Sequence, residues 1–296
     1  MKTIDCFMYF DEDMLLDLRL NILDQYVSKF VICEATYNHK GISKKLNFDI
    51  KKFKKFEKKI IYTVLDQNPP NLKKIDSNEK PNLKNSKILH NSITRDVFQR
   101  NHLMSKISDF VDDDLILISD LDEVPNLEQF RYKNKINIFC QKMFYYKLNL
   151  IYPNFVWHGT KACKKRHLNS PQWLRNIKSK KYGFWRLDTL FSNQKYIDIN
   201  FINNGGWHFT NVKKPEDIHF KMSNFAHHLE YEESGMKVED LREKISNKKI
   251  FYNHAADKSS VNKWNSNIDL RVVEDNHLPK FLINNKKIYK EWLEKN

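Results

Sequence analysis

The sequence predicts an α/β fold: a Rossmann-like, mixed and mostly parallel central sheet flanked by helices. Three observations lead there. An apolar run at residues 115–118 is bounded by Asp112-Asp113-Asp114 on one side and by Asp120-Leu121-Asp122-Glu123-Val124-Pro125 on the other. Such a run reads as a strand buried on both faces and ending at a polar rim. Strand-like and helix-like patterns alternate over the preceding residues, in the order expected of parallel sheets. With 296 residues, 41% hydrophobic and 13% aromatic, the chain has the material for one large core.

The first strand covers residues 3–9, and Asp11-Glu12-Asp13 supplies the acids favoured in the first turn of a helix. That helix runs to about residue 26, with Leu15, Leu18, Ile22 and Tyr26 at helical spacing on its inner face. Residues 30–34 form a second strand ending in Glu34, and residues 60–65 a third. Three prolines mark residues 67–87 as a loop beside the site. A helix over 88–110 follows, with Ile93, Val97, Leu103, Met104 and Ile107 turned inward. Its Arg95, Arg100 and Asn101 either face solvent or reach a ligand's phosphates or sugar.

Beyond the acids, residues 136–152 are aromatic and β-branched and form one or two strands. Trp157-His158-Gly159-Thr160 and Tyr182-Gly183-Phe184-Trp185 read as aromatic turns, able to serve as core or as walls for a sugar ring. In Asn203-Asn204-Gly205-Gly206-Trp207-His208-Phe209, adjacent glycines allow close backbone approach just before Trp207 and His208. Residues 213–231 look helical, starting near Pro215, and the neighbouring His227 and His228 point apart on a helix and share no metal. After about residue 237 the chain is strongly charged, with helical pieces near 238–248 and 287–296. The expected division is a main domain over 1–235 and a charged, partly helical extension over 236–296 packed on it.

The chemistry concentrates at the exit of the central strand, since ligands of open α/β sheets bind beyond the carboxyl ends of strands. If the extended path continues through Leu121, Asp120 and Asp122 share a face and suit Mg²⁺ or Mn²⁺ carrying a diphosphate. The plain alternative is that these acids solvate a strand end. His208 is either a satisfied structural residue or a neutral imidazole completing a metal shell. A formal charge of +14 draws polyanions, whether nucleic acid, phosphate-bearing small molecules or an anionic membrane met peripherally. The chain shows no basic-aromatic motif of known nucleic-acid modules, so no nucleic-acid partner is expected. The four cysteines form no C-x-x-C pair, which excludes a zinc ribbon and suits a reducing compartment. No apolar stretch reaches the length of about 18 residues needed to span a bilayer, and no signal-peptide pattern opens the chain. The expected location is cytoplasmic, peripheral to the inner face of a membrane.

Taken in order, several stretches resemble glycosyltransferase family 17, known for β-1,4-mannosyl-glycoprotein β-1,4-N-acetylglucosaminyltransferases. They are Asp5-Cys6-Phe7, Phe10-Asp11-Glu12, Leu18-Arg19-Leu20-Asn21, Phe30 through Ala35, and the Gly41 to Phe48 segment. Further along come Ser119 through Pro125, Trp157 through Thr160, Leu174-Arg175, Gly206 through Phe209, Lys221 and Phe225-Ala226-His227. The resemblance implies a GT-A type fold and metal-dependent, inverting transfer of a sugar, N-acetylglucosamine, from a UDP-sugar to a glycan or glycolipid acceptor. It implies that Asp120 and Asp122 contact the UDP ribose and a divalent cation, Mn²⁺ or Mg²⁺, with His208 as the further metal ligand. Glu34, Arg95 and Arg100 fall on the donor side, and Trp157, Trp185 and Trp207 on the acceptor side. Glu123 and Asp188 are the candidate general bases. Leu121 departs from the small residue usual between the two aspartates, and the family's eukaryotic membrane anchor is missing. Two other classes stay open: a nucleic-acid-binding or phosphodiester-cleaving metal protein, and a non-catalytic glycan-binding module.

Overall fold

β1 (Thr3–Met8) leads through α1 (Asp13–Leu23) to β2 (Lys29–Ala35), and a 3₁₀ segment at Ile50–Phe56 precedes β3 (Ile60–Leu65). α2 (Pro81–His102) and the short α3 (Met104–Ile107) return the chain to β4 (Leu115–Ser119). There follow β5 (Glu123–Pro125), β6 (Ile136–Tyr145), β7 (Leu150–Lys164), α4 (Pro171–Asn176), β8 (Ile199–Ile202) and β9 (Gly206–Thr210). α5 (Pro215–Met222), α6 (His228–Glu233), α7 (Val238–Ser246), β10 (Arg271–Val272) and α8 (Lys280–Asn284) complete the fold. The computed structural model describes residues 1–255, 261–264 and 266–295.

One sheet runs in the order β3-β2-β1-β4-β7-β6-β9-β5, with β8 beside β6 and β10 beside β7. The first half, β3 to β4, is parallel throughout. β7 is antiparallel to both β4 and β6, while β9 runs parallel to β6. Parallel strands covered on both faces need apolar residues at every position, and alternate side chains go to opposite cores. Phe7, Phe30, Ile32, Leu115 and Leu117 pack with the leucines of α1. Cys6, Val31, Cys33, Ile116 and Ile118 pack on the other face with Leu103 and Ile107. By this alternation Asp5 and Ser119 point toward α1, where a polar partner has to meet them.

Several boundaries differ from expectation. α1 stops at Leu23, and the amides of Tyr26 and Val27 close the turn on its carbonyl. α2 begins at Pro81, seven residues early, because proline at the first helical position gives up an N–H that has no partner there anyway. Its inward face is Asn91, Ser92, Gln99 and Arg100, whereas Ile93 is 39% exposed. The reason is that α2 covers polar groups: Gln99 donates to the Cys33 carbonyl and Asn91 brackets the Lys73 backbone. Trp157 through Thr160 lie inside β7 rather than in a turn. The helix expected over 213–231 is broken into α5 and α6, and near the C-terminus only a 3₁₀ turn at Lys290–Trp292 forms, with Asn296 outside the described residues.

The charged C-terminal stretch is part of a core of its own. Leu241, Ile250, Phe251 and Leu270 pack with Met143 and Tyr145 of β6, Tyr146 just beyond it and Tyr152 of β7. Tyr289 donates to Asp17 of α1 at 2.6 Å, so the end of the chain also closes on the first helix. Among the described residues no helix is long and apolar enough to cross a membrane.

Candidate functional site

The acids after β4 do not continue the strand. The Glu123 amide donates to the Asp120 carbonyl at 3.0 Å, closing a tight turn through Leu121 and Asp122. β5 then leaves in a new direction and pairs antiparallel with β9, placing Glu123 opposite His208 and Pro125 opposite Gly206. Gly206 has φ +128, and a Cβ there would lie 2.2 Å from the Val124 carbonyl oxygen, so only glycine admits β5 this close. The glycine pair thereby brings His208 to the acid turn.

Beneath the turn lies Arg19, which is fully buried. Its Nε and Nη2 donate to the two Asp5 oxygens at 2.8 and 2.6 Å, and Nη2 also donates to Ser119 Oγ at 2.5 Å. Its Nη1 donates to the carbonyls of Asp120, Leu121 and Glu123 at 3.2, 3.0 and 2.8 Å. A charged fork of this kind holds three carbonyls across the turn and the start of β5.

Glu123 is also fully buried. It accepts from Trp157 Nε1 at 2.6 Å, from Arg175 Nη1 and Nη2 at 2.6 and 3.0 Å, and from the Asp120 amide at 2.9 Å. Both oxygens are thus committed, and it fixes Arg175 rather than facing open space. Arg175 in turn donates to Asp120 at 3.0 Å, and Arg100 reaches the other Asp120 oxygen at 3.2 Å. Burial alone would raise the Asp120 carboxyl, but Arg175 and Arg100 hold it below its usual value. Lys161 supports Arg175 from behind by donating to the carbonyls of Arg175 and Ile177 at the end of α4, at 2.7 and 2.5 Å. Burial, reinforced by Arg175, pushes the Lys161 ammonium down to about 7.

Asp122 faces the opposite side of the turn. Its oxygens lie 3.5 Å from His208 Nε2 and 3.7 Å from Lys221 Nζ, and these two partners hold its carboxyl well below the usual range against the cost of burial. Lys221 also pairs with Glu12 at 3.2 Å. His208 lies under Trp157, ring centroids 4.9 Å apart, and its Nδ1 is buried without a partner among the described residues.

A cavity of about 530 Å³ opens over this turn. Its lining combines charged residues, Glu12, Lys44, Asp96, Arg100, Asp120, Asp122, Arg175 and Lys221, with aromatic ones: Tyr9, Phe10 and Tyr37, Tyr145 and Trp157 of the sheet, and Phe251, Tyr252, His254 and Trp264 of the C-terminal stretch. Burial pushes His254 down to about 3, so it is a neutral imidazole, and Tyr145 Oη lies 3.2 Å from its Nε2.

Of the residues singled out by sequence, Asp120, Asp122, Arg100, His208 and Trp157 come together at this cavity, with Glu123 directly beneath. The others lie elsewhere. Glu34 is buried and accepts from the amides of Asn47 and Phe48 and from Tyr62, with Lys44 paired to it, so it anchors the 44–48 segment. Arg95 donates to the His39 carbonyl and packs against Gly41. Trp207 donates to the His277 carbonyl at 2.8 Å, turned away by the strand alternation that turns His208 inward. Trp185 is 70% exposed, and Asp188 is held by Arg186 and Lys195 on an outer loop. Sequence reasoning placed no site role on Glu12, Asp96 or the C-terminal aromatics. Arg175 and Lys221 carried a signal only as part of the family resemblance.

Among the described residues no group of three or more His, Cys, Asp and Glu side chains is arranged to hold a metal. Asp122 and His208 nevertheless offer one carboxylate oxygen and one imidazole nitrogen, 3.5 Å apart at the cavity floor. That donor set suits a cation whose remaining positions belong to a diphosphate and water, not a dedicated protein cage.

A mixed sheet whose central strand ends in an acidic turn, under a cavity lined by charged and aromatic residues, is the architecture of a GT-A type fold. Residues 1–294 match glycosyltransferase family 17, and the chain belongs to that family. A comparison with curated proteins finds no match. Membership of a transferase family implies a donor and an acceptor substrate.

Proposed function

We propose that the enzyme is a divalent-cation-dependent, inverting transferase that moves N-acetylglucosamine from its UDP-sugar to a glycan or glycolipid acceptor. The observation that supports this best is the cavity over the acid turn, whose lining combines fixed charges suited to a diphosphate with aromatic rings suited to a sugar. Lys221 and Arg100 meet the negative charge of the donor diphosphate. Asp122 and His208 would hold the cation, which would supply Lewis acidity to the leaving diphosphate. Trp157, Tyr252 and Trp264 are surfaces on which the acceptor sugar stacks.

Inversion needs a base on the face opposite the departing diphosphate. The oxygens of Glu123 are engaged by Arg175, Trp157 and a backbone amide, and Asp188 is on an outer loop. We therefore give Glu123 a positioning role and assign proton removal to neither Glu123 nor Asp188. The test is transfer from UDP-N-acetylglucosamine to a panel of glycans with Mn²⁺, and after chelation. Asp122→Ala is expected to lower turnover about 10²–10³-fold, the scale of losing one preorganised charge-stabilising group. Unchanged turnover in a folded Asp122→Ala protein overturns this reading.

A further inference from the structure

The segment over residues 178–195 inverts the usual distribution of side chains. It leaves α4 just after Arg175 and has no regular structure except a 3₁₀ turn at Leu187–Thr189. Within eight residues it exposes Phe184 (83%), Trp185 (70%), Leu187 (70%), Leu190 (72%) and Phe191 (89%). Singly exposed apolar residues are ordinary, but five large ones on one short loop mark an interaction surface.

The loop is shaped to present them. Arg186 donates to both oxygens of Asp188 at 2.7 and 2.9 Å, and Lys195 donates to the same carboxylate at 2.7 Å. Thr189 is tucked in, its hydroxyl donating to the Arg186 carbonyl at 2.6 Å. The polar groups of the tip are thus paired with one another, and the apolar side chains have no inward direction left. Around them the segment carries five basic residues, Lys178, Lys180, Lys181, Arg186 and Lys195, against the single acid Asp188. Lys178, Lys180 and Lys181 are exposed.

We propose that this loop docks the protein on an anionic lipid bilayer, Phe184, Trp185, Leu187, Leu190 and Phe191 entering the headgroup boundary while the lysines meet lipid phosphates. Charge complementarity selects this partner: a bilayer of acidic lipids accepts apolar side chains and a surrounding ring of cations at once. Aromatic rings with one polar edge, such as Trp185, settle at that boundary. Two weak signals together give stable yet reversible attachment, as either alone does not.

The experiment is co-sedimentation of the full chain with vesicles of phosphatidylcholine containing phosphatidylglycerol, and with phosphatidylcholine alone, at low and high salt. Binding is expected to the anionic vesicles, weaker on phosphatidylcholine and reduced by salt. The triple substitution Phe184→Ser, Trp185→Ser, Phe191→Ser is expected to lower the partition coefficient at least tenfold without changing the melting temperature. Lys178→Gln, Lys180→Gln, Lys181→Gln together should remove most of the salt dependence. Brominated acyl chains should quench part of the tryptophan fluorescence, and Trp185→Phe should abolish that part while the protein stays bound. The proposal is overturned if wild type binds no vesicle, if the triple serine variant sediments like wild type, or if these substitutions change only self-association.

Discussion

The acid turn at residues 119–123 and the loop at 178–195 break the usual partition of side chains in opposite senses. The turn is polar and buried: Arg19, Glu123 and Ser119 are within 1% of full burial, and each has charged or hydrogen-bonded partners. The loop is apolar and exposed, its one acid paired with Arg186 and Lys195 on the outside. Burying charge is costly and is sustained only by complete pairing, so the turn is over-determined and stiff. Exposed apolar side chains forgo the gain of burial but have no packed contacts to lose when replaced, so the loop tolerates change that the turn does not. The difference teaches where to look for function: the turn is held rigidly enough to place charges for chemistry, and the loop presents apolar side chains that no described residue covers.

The contrast is broken most severely by Arg19→Met. It leaves Asp5 as an unpaired buried carboxylate and frees three carbonyls, a loss of about 3–5 kcal/mol by comparison with other broken buried pairs. Urea unfolding measures this, and a midpoint near that of wild type would mean that the turn holds itself. Gly206→Ala comes next. With φ +128 and a backbone oxygen where the Cβ must go, it is expected to cost about 1–3 kcal/mol and to shift β5, so transfer falls together with the unfolding midpoint.

A third effect is a dependence on pH. The Lys161 ammonium is pushed down to about 7 in the folded protein from an ordinary 10.5. Between these values the unfolded chain binds the extra proton, so stability rises with pH across roughly 7 to 10.5 and is flat below. Lys161→Met should lose that rise, seen by comparing the two proteins' unfolding midpoints from pH 6 to pH 10 (about the range in which a shifted lysine titrates). Serine substitutions in the 184–191 loop, by contrast, should leave stability within about 0.5 kcal/mol, as surface changes usually do.

Much of the sheet was legible because its signals are local. The apolar run at 115–118 and the alternation through Phe7, Phe30 and Ile32 define buried strands without reference to the rest of the chain. The glycine pair at 205–206 announced a close approach, and β5 is what approaches. Misreadings came where a helix or strand serves polar neighbours. Ile93 was placed inward by apolar spacing alone, yet α2 turns Gln99 and Arg100 inward because the polar site lies there. Trp207 and His208 are adjacent, and only the register of β9 against β5 and β6 decides which of them meets the cavity.

By itself the sequence determined the class of fold, the central strand with its acids and the ordered stretches shared with a transferase family, since these depend on neighbours along the chain. The tertiary structure alone decided that Asp120 answers to Arg100 and Arg175 while Asp122 answers to His208 and Lys221, and that the C-terminal stretch supplies an aromatic wall. The physical reason is distance in sequence. A carboxylate's role is set by the charges that folding brings within a few ångströms, and here those charges come from residues 20 to 100 positions away.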